Sequence, residues 1–258
     1  MQDFVIFVFV GFLAQIVDGA LGMAYGVISS TVLLAFGLPP AAASASAHAA
    51  EVFTTAASAG SHIANKNVNW KIFRPLVVGG CIGGAIGAFV LTSIDGNVIK
   101  PYITAYLAVM GGIIIFRALR GRTVRPFPVR WSGPLGGLGG FLDAVGGGGW
   151  GPTVTSAMLG SGAEPRQSIG TTNTAEFFVT VTISATFVAA LLTGHWTEAG
   201  NIMDHASAVA GLVLGGLIAA PLAGVVVKLA PVRVMTFAVG GLILLLASYQ
   251  TARLLGYV

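Results

Sequence analysis

Two stretches of this chain, residues 209–227 and 235–252, contain no charged side chain. Each is about the ~20 residues that a helix needs to cross the hydrocarbon core of a bilayer. That feature narrows the possible folds more than any other. The charge supply agrees with it. Of 258 residues, 55% are hydrophobic and only 9% are charged, where soluble domains carry roughly 25%. So few charges cannot cover the surface of a soluble protein of this size, so lipid must. The expected class is an all-α integral membrane protein. The opening residues, Met1-Gln2-Asp3-Phe4, lack a basic region and a small-residue cleavage site, and read as the start of the first membrane segment rather than a removable signal.

An internal repeat organises the rest. Shifted by 125 residues, the chain aligns with itself without a gap for more than thirty positions. Asp18 falls on Asp143, Gly22 on Gly147, Gly26 on Gly151, Pro40 on Pro165, His48 on Asn173, Glu51 on Glu176 and Thr55 on Thr180. The register drifts later, but Gly111-Gly112 still lies over Gly240-Gly241. The reading is a duplication: a first repeat at 1–119, a basic cytoplasmic linker at 120–131 and a second repeat at 132–258. Each repeat is expected to hold a helical hairpin broken by glycine (4–17 with 27–36; 133–145 with 152–159). A long polar-faced helix follows (41–64; 166–193), then two ordinary spans (72–93 and 98–118; 206–229 and 231–255).

Charge placement orients the repeats. If each broken hairpin returns to its own side, three crossings remain per repeat and the repeats are inverted. Lys66, Lys71, Arg74, Arg117, Arg120, Arg122, Arg125, Arg130, Arg166, Lys228 and Arg233 then face the cytoplasm, and only Lys100 and Arg253 lie outside. Parallel repeats divide the same cations nine to four, a weaker positive-inside bias. Inverted repeats with external termini are therefore expected. The net charge of +4 reflects this topology and not a nucleic-acid partner.

Transporters with inverted repeats place substrate near the midplane, at interrupted helices whose N-termini face anionic groups. The interruptions stand in corresponding positions: Asp18-Gly19-Ala20-Leu21-Gly22-Met23-Ala24-Tyr25-Gly26, and Asp143 followed by Gly146-Gly147-Gly148-Gly149-Trp150-Gly151-Pro152. Four consecutive glycines do not hold a helix interior. Free N–H groups where a helix resumes form an anion site. Gly22, Met23, Ala24 and Tyr25, with Gly147, Gly148, Gly149, Trp150 and Gly151, are thus candidate substrate contacts. The alternative use of such glycines is a tight helix crossing.

The long helices add a polar face. His48, Glu51 and Thr55 lie at i, i+3 and i+7, repeated by Asn173, Glu176 and Thr180, with Ser44 and Thr172 beside them. Ser44, His48, Thr172 and Asn173 are candidate substrate contacts. Ionisable groups at membrane depth are costly and mark functional sites. Glu51 and Glu176 fit two roles: carrying protons, or hydrogen-bonding the Gly-rich break of their own half. Asp18 and Asp143 either cap the breaks or take part in ion coupling. His48 either binds an anion when charged or serves as a satisfied buried donor. Trp150 sits within the break, where it lines or gates a cavity, whereas Trp70 and Trp196 read as interface anchors. Cys81 is the only cysteine, so the chain forms no disulfide or cysteine metal site of its own. Neither a Gly-x-x-x-x-Gly-Lys loop nor a His-Glu-x-x-His motif occurs, and the expectation is a non-enzyme without metal or cofactor.

The runs 18–23, 43–52 and 140–152, with 170–177 in the second half, are similar to the TauE/SafE family of sulfite exporters. The likeness covers nearly the whole chain. It implies a multi-pass permease of the cell inner membrane that moves sulfite, a sulfonate or a related small sulfur anion. Proton coupling, an uncoupled anion channel, and a membrane sensor or structural subunit are the functions to be separated. Exposed small-residue faces permit a homodimer.

Overall fold

The computed structural model describes residues 2–21, 23–119, 127–161, 163–196, 203–229 and 232–257. Among these, all regular structure is helical. The elements are α1 (Gln2–Leu21), α2 (Tyr25–Ala35), α3 (Pro40–Ala64), α4 (Trp70–Ser93), α5 (Gly96–Leu119), α6 (Ser132–Gly146), α7 (Ser156–Gly160), α8 (Pro165–Leu192), α9 (Met203–Leu229) and α10 (Val232–Leu254). A short 3₁₀ turn precedes α6, and a π turn, Gly151–Thr155, leads into α7. Gly22, most of the basic linker (120–126) and residues 197–202 lie outside the described residues.

Local chemistry accounts for the boundaries. Pro40 and Pro165 open α3 and α8, where a missing N–H costs nothing. Glu164 accepts the N–H groups of Arg166 and Gln167 at 3.0 and 2.7 Å, and Asn69 caps α4 by accepting the Lys71 N–H at 3.2 Å. Among the described residues three helices are long and apolar enough to cross a membrane, Trp70–Ser93, Gly96–Phe116 and Arg166–Leu192. Helix α4 shows how they are used. Val78, Ile82, Ile86 and Phe89 are exposed along one face, while Gly80, Gly83, Gly84 and Gly87 are buried on the other. Large apolar residues outside and glycine inside is the arrangement of a helix solvated by lipid.

Those glycines set the packing. Gly79 and Gly83 of α4 lie on the backbones of Gly133 and Gly137 of α6, and a Cβ on Gly83 would overlap the Gly137 carbonyl oxygen. Gly211 and Gly215 of α9 lie in the same way on Val8 and Phe12 of α1. Exchanging the two sequence halves turns one contact into the other. The wider pattern behaves likewise: α4 on α8 matches α9 on α3, while α3–α8 and α5–α10 pair across the centre.

Candidate functional site

The two Gly-rich breaks meet at the middle of this bundle. Helix α1 ends before Met23, and α2 resumes after Ala24, whose φ of 115° is unusual for a residue with a side chain. In the second half α6 ends at Gly146, and Gly147 and Gly148 take φ of 70° and 152°. Those angles need glycine, and so does the space. A Cβ on Gly148 would occupy the position of the Gly26–Val27 peptide, and one on Gly26 would lie 2.8 Å from the Gly148 Cα. The breaks are thus in backbone contact.

Each break is stitched by a carboxylate. Asp143 accepts the N–H groups of Gly149 and Trp150 at 2.6 and 2.9 Å. Asp18 accepts the N–H of Tyr25 at 3.4 Å, and Glu51 accepts the N–H of Gly26. At the second break Asp143 thus takes two N–H groups of the resuming helix, the capping role the sequence offers it, because a buried N–H left unpaired is costly. Trp150 is fully buried, its indole N–H donating to the Thr172 carbonyl at 3.0 Å. Thr172 is likewise occupied, accepting from the Thr155 hydroxyl at 2.9 Å. Gly151 is buried at the start of the π turn. Met23 is buried, with the Ser156 hydroxyl 3.9 Å from its sulfur, and the Tyr25 hydroxyl donates to the Leu212 carbonyl at 2.9 Å.

The polar face of α3 reaches across to the other half. Ser44 donates to the Ala144 carbonyl at 2.6 Å. His48 is fully buried, with Nδ1 2.8 Å from the Ser44 carbonyl and Nε2 3.3 Å from Asp143 Oδ2. A carbonyl only accepts, so Nδ1 carries a proton. The His48 Nε2 then faces the Asp143 carboxylate across the two halves, an ion pair whenever the imidazole is protonated.

Glu176 is the odd member. Among the described residues no hydrogen bond reaches its carboxylate, and the groups acting on it are the acids Asp18, Glu51 and Asp143. Asn173 donates to the Ser58 hydroxyl at 3.3 Å, while its side-chain oxygen has no partner. Asp18, Glu51, Asp143 and Glu176 are all buried. Among the described residues no group of three or more possible ligands has metal-holding geometry.

The halves differ towards the two ends of the bundle. Between α3, α8 and α9 lies a cavity of 630 Å³, with Phe53, Phe187 and Trp196 among its walls. That volume is in the range of small-molecule sites. Trp196, read from the sequence as an interface anchor, faces this cavity. The corresponding place between α8, α3 and α4 is sealed. Asn67 packs on Gly170, the Asn69 N–H donates to the Thr171 hydroxyl at 2.9 Å, and Arg166 donates to Asn67 Oδ1 at 2.6 Å and to the Asn65 carbonyl at 3.1 Å. The sequence carries no signal for this difference, because the sealing contacts join a loop and a helix far apart along the chain.

Lipid-facing helices, glycine-tight crossings and paired breaks amid buried ionisable groups define a membrane transporter. The chain belongs to the TauE/SafE family: the family model described as "Sulfite exporter TauE/SafE" matches residues 7–253. A relative from Bacillus subtilis (strain 168), "Probable membrane transporter protein YtnM", is 43% identical over 253 residues, which cover 95% of this chain and 81% of the relative.

Proposed function

We propose that this protein is a secondary transporter of the plasma membrane that exports a small sulfur-containing anion, sulfite or a sulfonate, in exchange for or together with protons. The repeats 1–119 and 132–258 are inverted, joined by the cytoplasmic linker 120–131, and they alternate access to a centre at the two breaks. The observation that carries this reading is the backbone contact of the breaks among Asp18, Glu51, Asp143, Glu176 and His48, all buried. Four acids beside one histidine repel an anion when ionised, so anion passage requires protons to be taken up there. Glu176 is the mobile proton carrier, because Glu51 and the two aspartates are engaged in holding the breaks. The unequal ends give the alternation its geometry. The sealed end carries Lys66, Lys71, Arg74 and Arg166 and faces the cytoplasm, and the cavity faces outward.

Purified protein in liposomes tests this. Sulfite flux that rises several-fold with an imposed pH gradient is the expected result. Flux that ignores the gradient would make the protein an uncoupled anion pore, and absence of flux for any small anion would make it a sensor or structural subunit.

A further inference from the structure

On α8 the hydroxyls of Thr172, Thr174, Thr182 and Thr186 each donate to the carbonyl four residues back, at 2.9, 2.6, 2.8 and 2.8 Å. That is how a helix ordinarily satisfies a hydroxyl in its interior. Thr180 and Ser184 depart from it: their oxygens are buried, with no hydrogen-bond partner among the described residues. Both stand on the helical face of Glu176, one and two turns beyond it. Ser184 lies on the wall of the 630 Å³ cavity, and Thr180 follows between it and the acid. The first half has no such line. Thr55, the counterpart of Thr180, donates to the Glu51 carbonyl at 2.6 Å, and Ala59 stands in the place of Ser184. Nor does the line continue past Glu176 towards the seal, because the Thr172 hydroxyl there is engaged by the Ser168 carbonyl and by Thr155.

We infer that Thr180 and Ser184 seat a short chain of buried water that carries protons between the cavity and Glu176. The spacing fits. Residues four apart on a helix are separated by about 6 Å along its axis, and two O–H···O hydrogen bonds of about 2.8 Å each span that length. One water therefore fits between Ser184 and Thr180, and one between Thr180 and Glu176. Each hydroxyl accepts one hydrogen bond and donates another. A proton entering from the cavity thus ends on the Glu176 carboxylate as each O–H bond along the chain breaks and the next forms, and the chain is left neutral. Burial favours the same arrangement, since an unpaired buried hydroxyl is costly and ordered water is the partner that such polar sites hold. The other titratable groups acting on Glu176 are Asp18 of α1, Glu51 of α3 and Asp143 of α6. The inference deepens the transport reading, on which it rests for the part Glu176 plays, by giving the acid access to protons from the cavity end alone.

Infrared spectroscopy of the full chain in detergent after a pH jump reads the proton on Glu176 without relying on transport, through a carboxylic acid band that Glu176→Gln removes. Thr180→Val keeps the shape of the side chain and removes the hydroxyl. Proton uptake and release should both slow about tenfold, the effect of one hydrogen bond lost from the path, with thermal stability retained. Ser184→Ala should slow them less, and Thr180→Ser should restore the original rates. Unchanged rates in Thr180→Val, a slowing that Thr180→Ser does not reverse, or a Glu176 that takes up no proton would each overturn the inference. Slowed uptake in a protein that passes no sulfite in liposomes would keep the path and reject the transport reading. Sulfite flux that responds to a pH gradient, with band kinetics unchanged in Thr180→Val, would do the reverse.

Discussion

The two breaks come from matching sequence but are not held equally. The second is closed by Asp143 with two short bonds to backbone N–H groups and a third contact to His48 of the other half. The first is held by Asp18 through one bond of 3.4 Å, with Glu51 assisting at Gly26. The ends show the same inequality, one sealed by Asn67, Asn69 and Arg166 and the other left with a cavity. Duplication supplies two copies of one device, and small substitutions set them in different positions. Asn173 in place of a second histidine is one such substitution, and it leaves Asp18 without a ring to pair with. The alternating access proposed above would need that inequality, because identical halves in identical positions would open neither side or both.

The largest effect that sharpens the contrast lies in stability. Asp143→Ala strands two buried N–H groups and should cost roughly 2–6 kcal/mol, whereas Asp18→Ala strands one weakly bonded group and should cost about 1 kcal/mol. Thermal unfolding of both variants in detergent measures the difference, and equal losses would break the comparison. Next comes Glu176→Gln. It keeps the fold, since no hydrogen bond to the carboxylate is lost, but it removes the proposed proton carrier. Sulfite flux in liposomes should lose its response to a pH gradient. The matching Glu51→Gln should keep part of that response while lowering stability, because Gly26 loses a charged acceptor. The smallest effect is at the seal. Arg166→Ala removes two hydrogen bonds from exposed positions, worth about 0.5–1 kcal/mol together. It should shift the population open at that end two- to fivefold, read by thiol labelling of a cysteine at Thr171 in a Cys81→Ala background.

Much of this is legible in the amino-acid sequence. Charge-free runs give the helices, and the 125-residue register identifies Asp18, Asp143, Glu51 and Glu176 as counterparts. The glycine run marks the second break, where φ of 70° and 152° confirms the need for glycine. Three things are not legible there. The closeness of the breaks depends on how α2 and α6 cross, which glycine content permits but does not dictate. The choice between the two roles the sequence leaves to Asp143 depends on how the break turns its N–H groups back onto that side chain. The cavity depends on where the residues that follow α8 lie. His195 stacks on Phe89 at 4.1 Å and bonds Ser93 at 2.7 Å, which holds residues 193–196 by the end of α4.

The central claim is that transport requires the sealed end to open. Cysteines at Asn67 and Arg166 in a Cys81→Ala chain, joined by a short bis-maleimide cross-linker, hold that seal shut while leaving the cavity and the centre untouched. Sulfite flux in liposomes should then fall below about a tenth of the uncross-linked value, as expected when one state of a two-state cycle is removed. Unchanged flux after complete cross-linking would contradict the account.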